Sequence, residues 1–140
     1  MNSALFSNLN WLHILVATVA YFVVGAIWYS ALFQKSWIRY HAIDTSTPDA
    51  KKGAGLIFLI GFIWTFIIVT GLAILIGKMD LAGGVISAIK LGLTTGVCFS
   101  ALAISMTYLY LKKPFGLHLI DGLYHVVGQI LAAIILLVWK

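Results

Sequence analysis

Four long runs of apolar residues, free or nearly free of charge, divide the chain: Trp11 to Phe33, Gly55 to Gly77, about Val85 to Leu111, and Leu117 to Trp139. A helix rising 1.5 Å per residue needs roughly 20 residues to cross about 30 Å of hydrocarbon, and each run is long enough. None alternates apolar with polar residues in pieces of about 10, as the strands of a membrane β-barrel do. The pattern predicts an all-α integral membrane protein: a bundle of four transmembrane helices, antiparallel and up-down, forming one domain over residues 1–140.

The connections carry their own signals. Thr47 before Pro48 and Asp49 reads as an N-cap, a proline at the first helical position and an acid in the first turn, so the second helix is expected to begin ahead of the membrane. Lys112 and Lys113 suit the negative end of the third helix. Pro114 and Gly116 predict a break and a short turn, making the third and fourth helices antiparallel neighbours. Phe33, Trp37 and Tyr40 recur at helical spacing beside Lys35 and Arg39, which predicts a short segment lying in the membrane interface between the first two helices. A plain loop anchored by Trp37 is the simpler alternative.

Charge gives an orientation. Lys35, Arg39, Lys51, Lys52, Lys112 and Lys113 fall on the side of the two odd-numbered loops, against Lys78, Lys140 and Lys90 on the other. The positive-inside rule then places those loops in the cytoplasm and both termini outside the cell membrane. The first 34 residues hold no lysine or arginine, so the charged start of a secretory signal is missing and the first helix is expected to be retained.

Composition agrees. Apolar residues make up 62% and charged residues 9%, too few to build a water-soluble surface when ordinary domains carry about 25%. The net charge of +5 sits at the ends of apolar runs, so it points to the lipid bilayer as partner and not to nucleic acid. Cys98 is the lone cysteine, which excludes an intrachain disulfide and a cysteine-rich metal site; packing is its expected role.

The fourth helix carries Asp121, His125 and Gln129 at intervals of four, one polar stripe on an otherwise apolar rod. An aspartate at the bilayer centre costs roughly 2.5 to 3.5 kcal/mol on translocon scales, so the stripe is expected to face inward. At about the same depth, one to two turns from the cytoplasmic end, lie Trp28, Tyr29, Ser105 and Tyr108. Trp64, midway along the second helix, is too deep for an interfacial belt and is expected to pack inside or line a cavity. Such a cluster is either polar glue between helices or a proton or ligand site. Trp28 and Tyr29 alone would read as belt anchors. Small residues at Ala17 and Gly25, four on either side of Tyr21, and at Thr94, Cys98, Ala101 and Ser105, permit close packing within one chain or in a homo-oligomer.

Other chemistry finds little support. His13 and His125 lie at different depths, giving no matched pair for haem, and His118, Asp121 and His125 on one helix lack a second cluster to complete a metal shell. No nucleophile with a base at motif spacing and no phosphate loop occurs. Neither a cofactor nor an enzymatic activity is expected.

The run from Asn10-Trp11 through Gly25 to Trp28-Tyr29-Ser30, then Lys35 and Trp37, and later Leu119 through Asp121-Gly122 to Tyr124-His125, resembles the small bacterial membrane proteins grouped as DUF1761, a domain of unknown function. The resemblance spans essentially the whole chain. It implies the same four helices and a shared pattern of the Trp-Tyr pair, Trp37, Asp121 and His125. Such proteins often have proline after the Trp-Tyr-Ser run, where this chain has Ala31. The residues lead to two expectations. The first is a non-enzymatic multi-pass protein, structural or binding a small hydrophobic ligand through a polar cluster in the cytoplasmic half. The alternative is a small oligomeric proton-coupled transporter in which Asp121 titrates and His125 tunes it.

Overall fold

The computed structural model describes residues 6–139. Six α-helices follow in order: α1 (Trp11–Ile27), α2 (Gln34–His41), α3 (Ala54–Met79), α4 (Gly84–Thr94), α5 (Leu102–Tyr110) and α6 (Phe115–Val138). Two stretches of π-helix, Trp28–Leu32 and Thr95–Ala101, prolong α1 and join α4 to α5. The result is four spans, Trp11–Leu32, Ala54–Met79, Gly84–Tyr110 and Phe115–Val138, each long and apolar enough to cross a membrane. No strand occurs among the described residues. The span bounds lie within two residues of the apolar runs in the sequence.

Local chemistry sets the ends. The Asn10 side chain accepts from the backbone N–H of Leu12 at 3.1 Å and of His13 at 3.2 Å, capping the first span. Thr47-Pro48-Asp49 starts only a single 3-10 turn, Pro48–Lys51, instead of an early second span. Gly53, at φ 78°, then turns the chain in the left-handed sense that a right-handed helix cannot continue, and α3 begins afresh at Ala54. Lys112, at φ 52°, ends the third span and Pro114 opens the fourth. Gly116 is no part of that break. It lies inside α6 beneath the Tyr40 ring, where a Cβ would come 2.4 Å from Tyr40 Cε2.

The last span is the hub. It packs along the first and third spans and, less extensively, against the second, which leans mainly on the first. Ile14, Ala17 and Tyr21, Val69 and Leu72, Ala88 and Leu91, and Ala132 and Ala133 form an apolar core. This core occupies the half nearer residues 6–10 and Trp139, here the terminal end; the opposite end carries the basic loops. Hydroxyls of Thr18, Thr65, Thr70, Thr94, Thr95 and Thr107 each bond the carbonyl four residues back, so none needs a lipid-facing partner.

The third and fourth spans touch at backbone distance. A Cβ on Gly92 would lie 2.4 Å from the Cα of Ile130, and one on Gly96 2.7 Å from that of Val126. The seam expected at Thr94 and Cys98 is therefore displaced, and both residues are exposed, Cys98 included despite its expected packing role. Stepping back from Ser105 at α-helical intervals leads to Ala101, Cys98 and Thr94. The π-turn takes up an extra residue and shifts the seam to Gly96 and Gly92. Trp64 also departs from expectation: it is 66% exposed on the outer surface. The second span is apolar on every side, so its pattern selects no face, and it turns Thr65, Val69 and Leu72 inward.

Replacing Gly92 by alanine is expected to lower bundle stability by about 1–3 kcal/mol through overpacking. Gly71→Ala, where a Cβ meets nothing within 4 Å, should leave it unchanged or slightly raised. Thermal melting of both variants in one detergent checks the pair.

Candidate functional site

The first span presents Tyr21, Gly25, Trp28 and Tyr29 at helical positions i, i+4, i+7 and i+8, a single face turned to the fourth span. Two glycines let tyrosines interlock across this seam. The Tyr124 hydroxyl lies 2.9 Å from where a Gly25 Cβ would stand, and the Tyr21 ring fills the place of a Gly128 Cβ, at 2.0 Å. The Trp28 indole N–H donates to the Ile120 carbonyl at 2.9 Å, fixing the basic end of the first span to α6.

Asp121 sits at the centre, 7% exposed. Its Oδ1 accepts from the Tyr29 hydroxyl at 2.6 Å and from the Trp37 indole N–H at 3.1 Å, and its Oδ2 accepts from the Tyr108 hydroxyl. The donors come from the first span, α2 and the third span, while the acceptor belongs to the fourth. Among the described residues no cation pairs with it; the one ion pair is Lys52 with Asp49, 3.9 Å apart on the surface. Trp Nε1 can only donate, and a carboxylate can only accept, so the partners match without a counter-charge. Rings close over these bonds: Tyr29 meets Trp37 edge-on at 5.7 Å and Tyr124 at 5.3 Å.

The rest of the stripe is also paired. His125 Nδ1 and the Tyr21 hydroxyl share a hydrogen bond of 2.6 Å, and the Gln129 amide donates to Ser100 Oγ at 2.5 Å. His118 Nδ1 and Ser105 Oγ are 3.0 Å apart. His41, at the end of α2, rests on the Trp37 and Tyr108 rings at 4.4 and 6.1 Å, and its Nε2 is buried with no hydrogen-bond partner among the described residues.

The structure thus gathers Asp121, Tyr29 and Tyr108 directly, with Trp28, Ser105, His125 and Gln129 around them. Trp64 stays apart. Trp37 points into the bundle and not into the interface as an anchor. Tyr21, Tyr124, Ser100, His118 and His41 also belong to the cluster and were not singled out as site residues by the sequence. Tyr21 carried a signal, eight residues before Tyr29 on the same face, and His118 another, three before Asp121. No group of three histidine, cysteine or acidic side chains suited to a metal occurs among the described residues, and His13 stacks on Trp139 at the terminal end, centroids 4.5 Å apart.

The family model described as a protein of unknown function (DUF1761) matches residues 12–137. No curated protein and no solved structure matches.

Each bond to Asp121 is expected to contribute about 0.6–2 kcal/mol, the range for polar contacts between membrane helices. A double-mutant cycle on Tyr108→Phe and Asp121→Ala should return a coupling energy in that range, measured by unfolding in mixed micelles. Strict additivity of the two variants would show that the bond contributes nothing.

Proposed function

The chain belongs to the DUF1761 family, and we propose that it is a non-enzymatic multi-pass membrane protein whose Asp121 cluster clamps α2 onto the cytoplasmic end of the bundle. One observation carries this reading: a single carboxylate accepts from Tyr29, Trp37 and Tyr108, side chains of three different elements. Removing it would leave three donors unmatched at once. The bias of Lys35, Arg39, Lys51, Lys52, Lys112 and Lys113 supports a cytoplasmic position for this end. There Lys35 and Arg39, exposed on α2, meet the anionic inner leaflet while Trp37 and His41 face the bundle. The clamp therefore joins a surface-sensing helix to the packing of all the spans it touches.

Tryptic cleavage after Arg39 in membrane vesicles tests the clamp. Losing about 1.4 kcal/mol of local stability makes opening tenfold more frequent, so Asp121→Asn should speed cleavage by about that factor. Equal rates in the two proteins would remove the clamp.

A second reading, an oligomeric proton-coupled transporter, has its own supporting observation. Asp121 and His125 lie one turn apart, each hydrogen-bonded to a tyrosine hydroxyl, and the Tyr124 ring bridges Tyr29 and Tyr21 at 5.3 and 5.5 Å. Proteoliposomes carrying an internal pH dye are expected to show flux that Asp121→Asn abolishes. Wild-type traces indistinguishable from protein-free vesicles would rule against transport.

A further inference from the structure

Away from the Asp121 cluster, the second and third spans scarcely touch, and the gap between them opens sideways toward the bilayer. Near the terminal end this gap is a trough of about 420 Å³. Leu75 and Met79 of the second span and Phe99 of the third form its apolar walls, Ser87 and Lys90 lie toward its outer end, and Thr94 lies deeper. It continues past Leu75 and Phe99 into a hollow that reaches Ile68 and the Gln129 side chain at mid-bundle. From Met79 back to Ile68 the helix rises about 16 Å, close to half of the roughly 30 Å hydrocarbon thickness.

Lys90 is the residue that gives the trough a sign. Of the charged side chains within the four spans, Lys78 lies in the last turn of its helix and Asp121 has three donors. Lys90 stands six residues after Gly84, about 9 Å along the axis, exposed and with no counter-ion among the described residues. An ammonium at that depth extends toward the headgroup layer and meets phosphate there. A second copy of the chain related by a two-fold axis suits the trough less well, because Lys90 would face its own equivalent.

We propose that this trough is a binding site for one anionic phospholipid of the leaflet at the terminal end. Its phosphate rests on the Lys90 ammonium with Ser87 beside it, and one acyl chain lies between the second and third spans. The trough shares no residue with Asp121 or its three donors, so its failure would leave that reading untouched.

Native mass spectrometry of the full chain, released from nanodiscs of equal phosphatidylglycerol and phosphatidylcholine, tests it. One lysine near the surface favours an anionic headgroup by about fivefold, and wild type should retain phosphatidylglycerol over phosphatidylcholine by about that ratio. Lys90→Ala should equalise the two lipids, Lys90→Arg should keep the preference, and Lys78→Ala should not change it. Equal retention by wild type, or a preference that survives Lys90→Ala, would overturn the site. So would displacement of the lipid by free glycerol phosphate, which has no acyl chain, or a dimer whose formation excludes lipid.

Discussion

A carboxylate in hydrocarbon must have its oxygens filled, and that requirement organises this molecule. Desolvating an acid is tolerable only where donors replace the water it gives up. Asp121 obtains them from the first span, α2 and the third span, each through a ring that also packs. The donors are neutral, so the cluster holds one uncompensated acidic group inside an aromatic shell in place of an ion pair. An ion pair needs two charges close together. This arrangement needs three elements in register, which makes it a stricter constraint on how the helices are placed.

Register is where the backbone departs from ideal geometry. The third span must present Gly92 and Gly96 to the fourth at backbone distance, and further along the same seam it must present Ser105 and Tyr108. A regular α-helix would carry Tyr108 well around from the Gly92 face over that distance; the π-turn at Thr95–Ala101 brings it back. At the basic end of the first span a second π-turn spans Trp28–Leu32, where the Phe33 N–H reaches the Trp28 carbonyl. Ala31 sits within this locally widened stretch of helix.

Much of this was legible in the residues. Four long apolar runs of bilayer length, with only Lys90 and Asp121 charged within them, could only be helices, and intervals of four could only place Asp121, His125 and Gln129 on one face. Depth counting from the helix ends found Tyr29, Ser105 and Tyr108, because rise per residue is nearly constant. What rotation decides was hidden. Trp64 lies on a helix apolar all round, so composition could not say which side faces lipid. Trp37 read as a surface anchor because its flanking Lys35 and Arg39 describe where α2 lies, not which way its indole turns. Thr94 and Cys98 looked like a packing seam because the π-turn leaves no mark in the pattern. Gly116 looked like a turn residue, and only the ring of Tyr40 above it explains its missing side chain.

The helix on which every other span depends is also the fourth to leave the ribosome. Until it arrives, Tyr29 and Tyr108 sit in a bilayer with their hydroxyls unmatched, and Gly92 and Gly96 line an empty groove. The first and second spans can already lean on each other, but the third has no partner to pack on until the segment that holds the lone acid threads between it and the first.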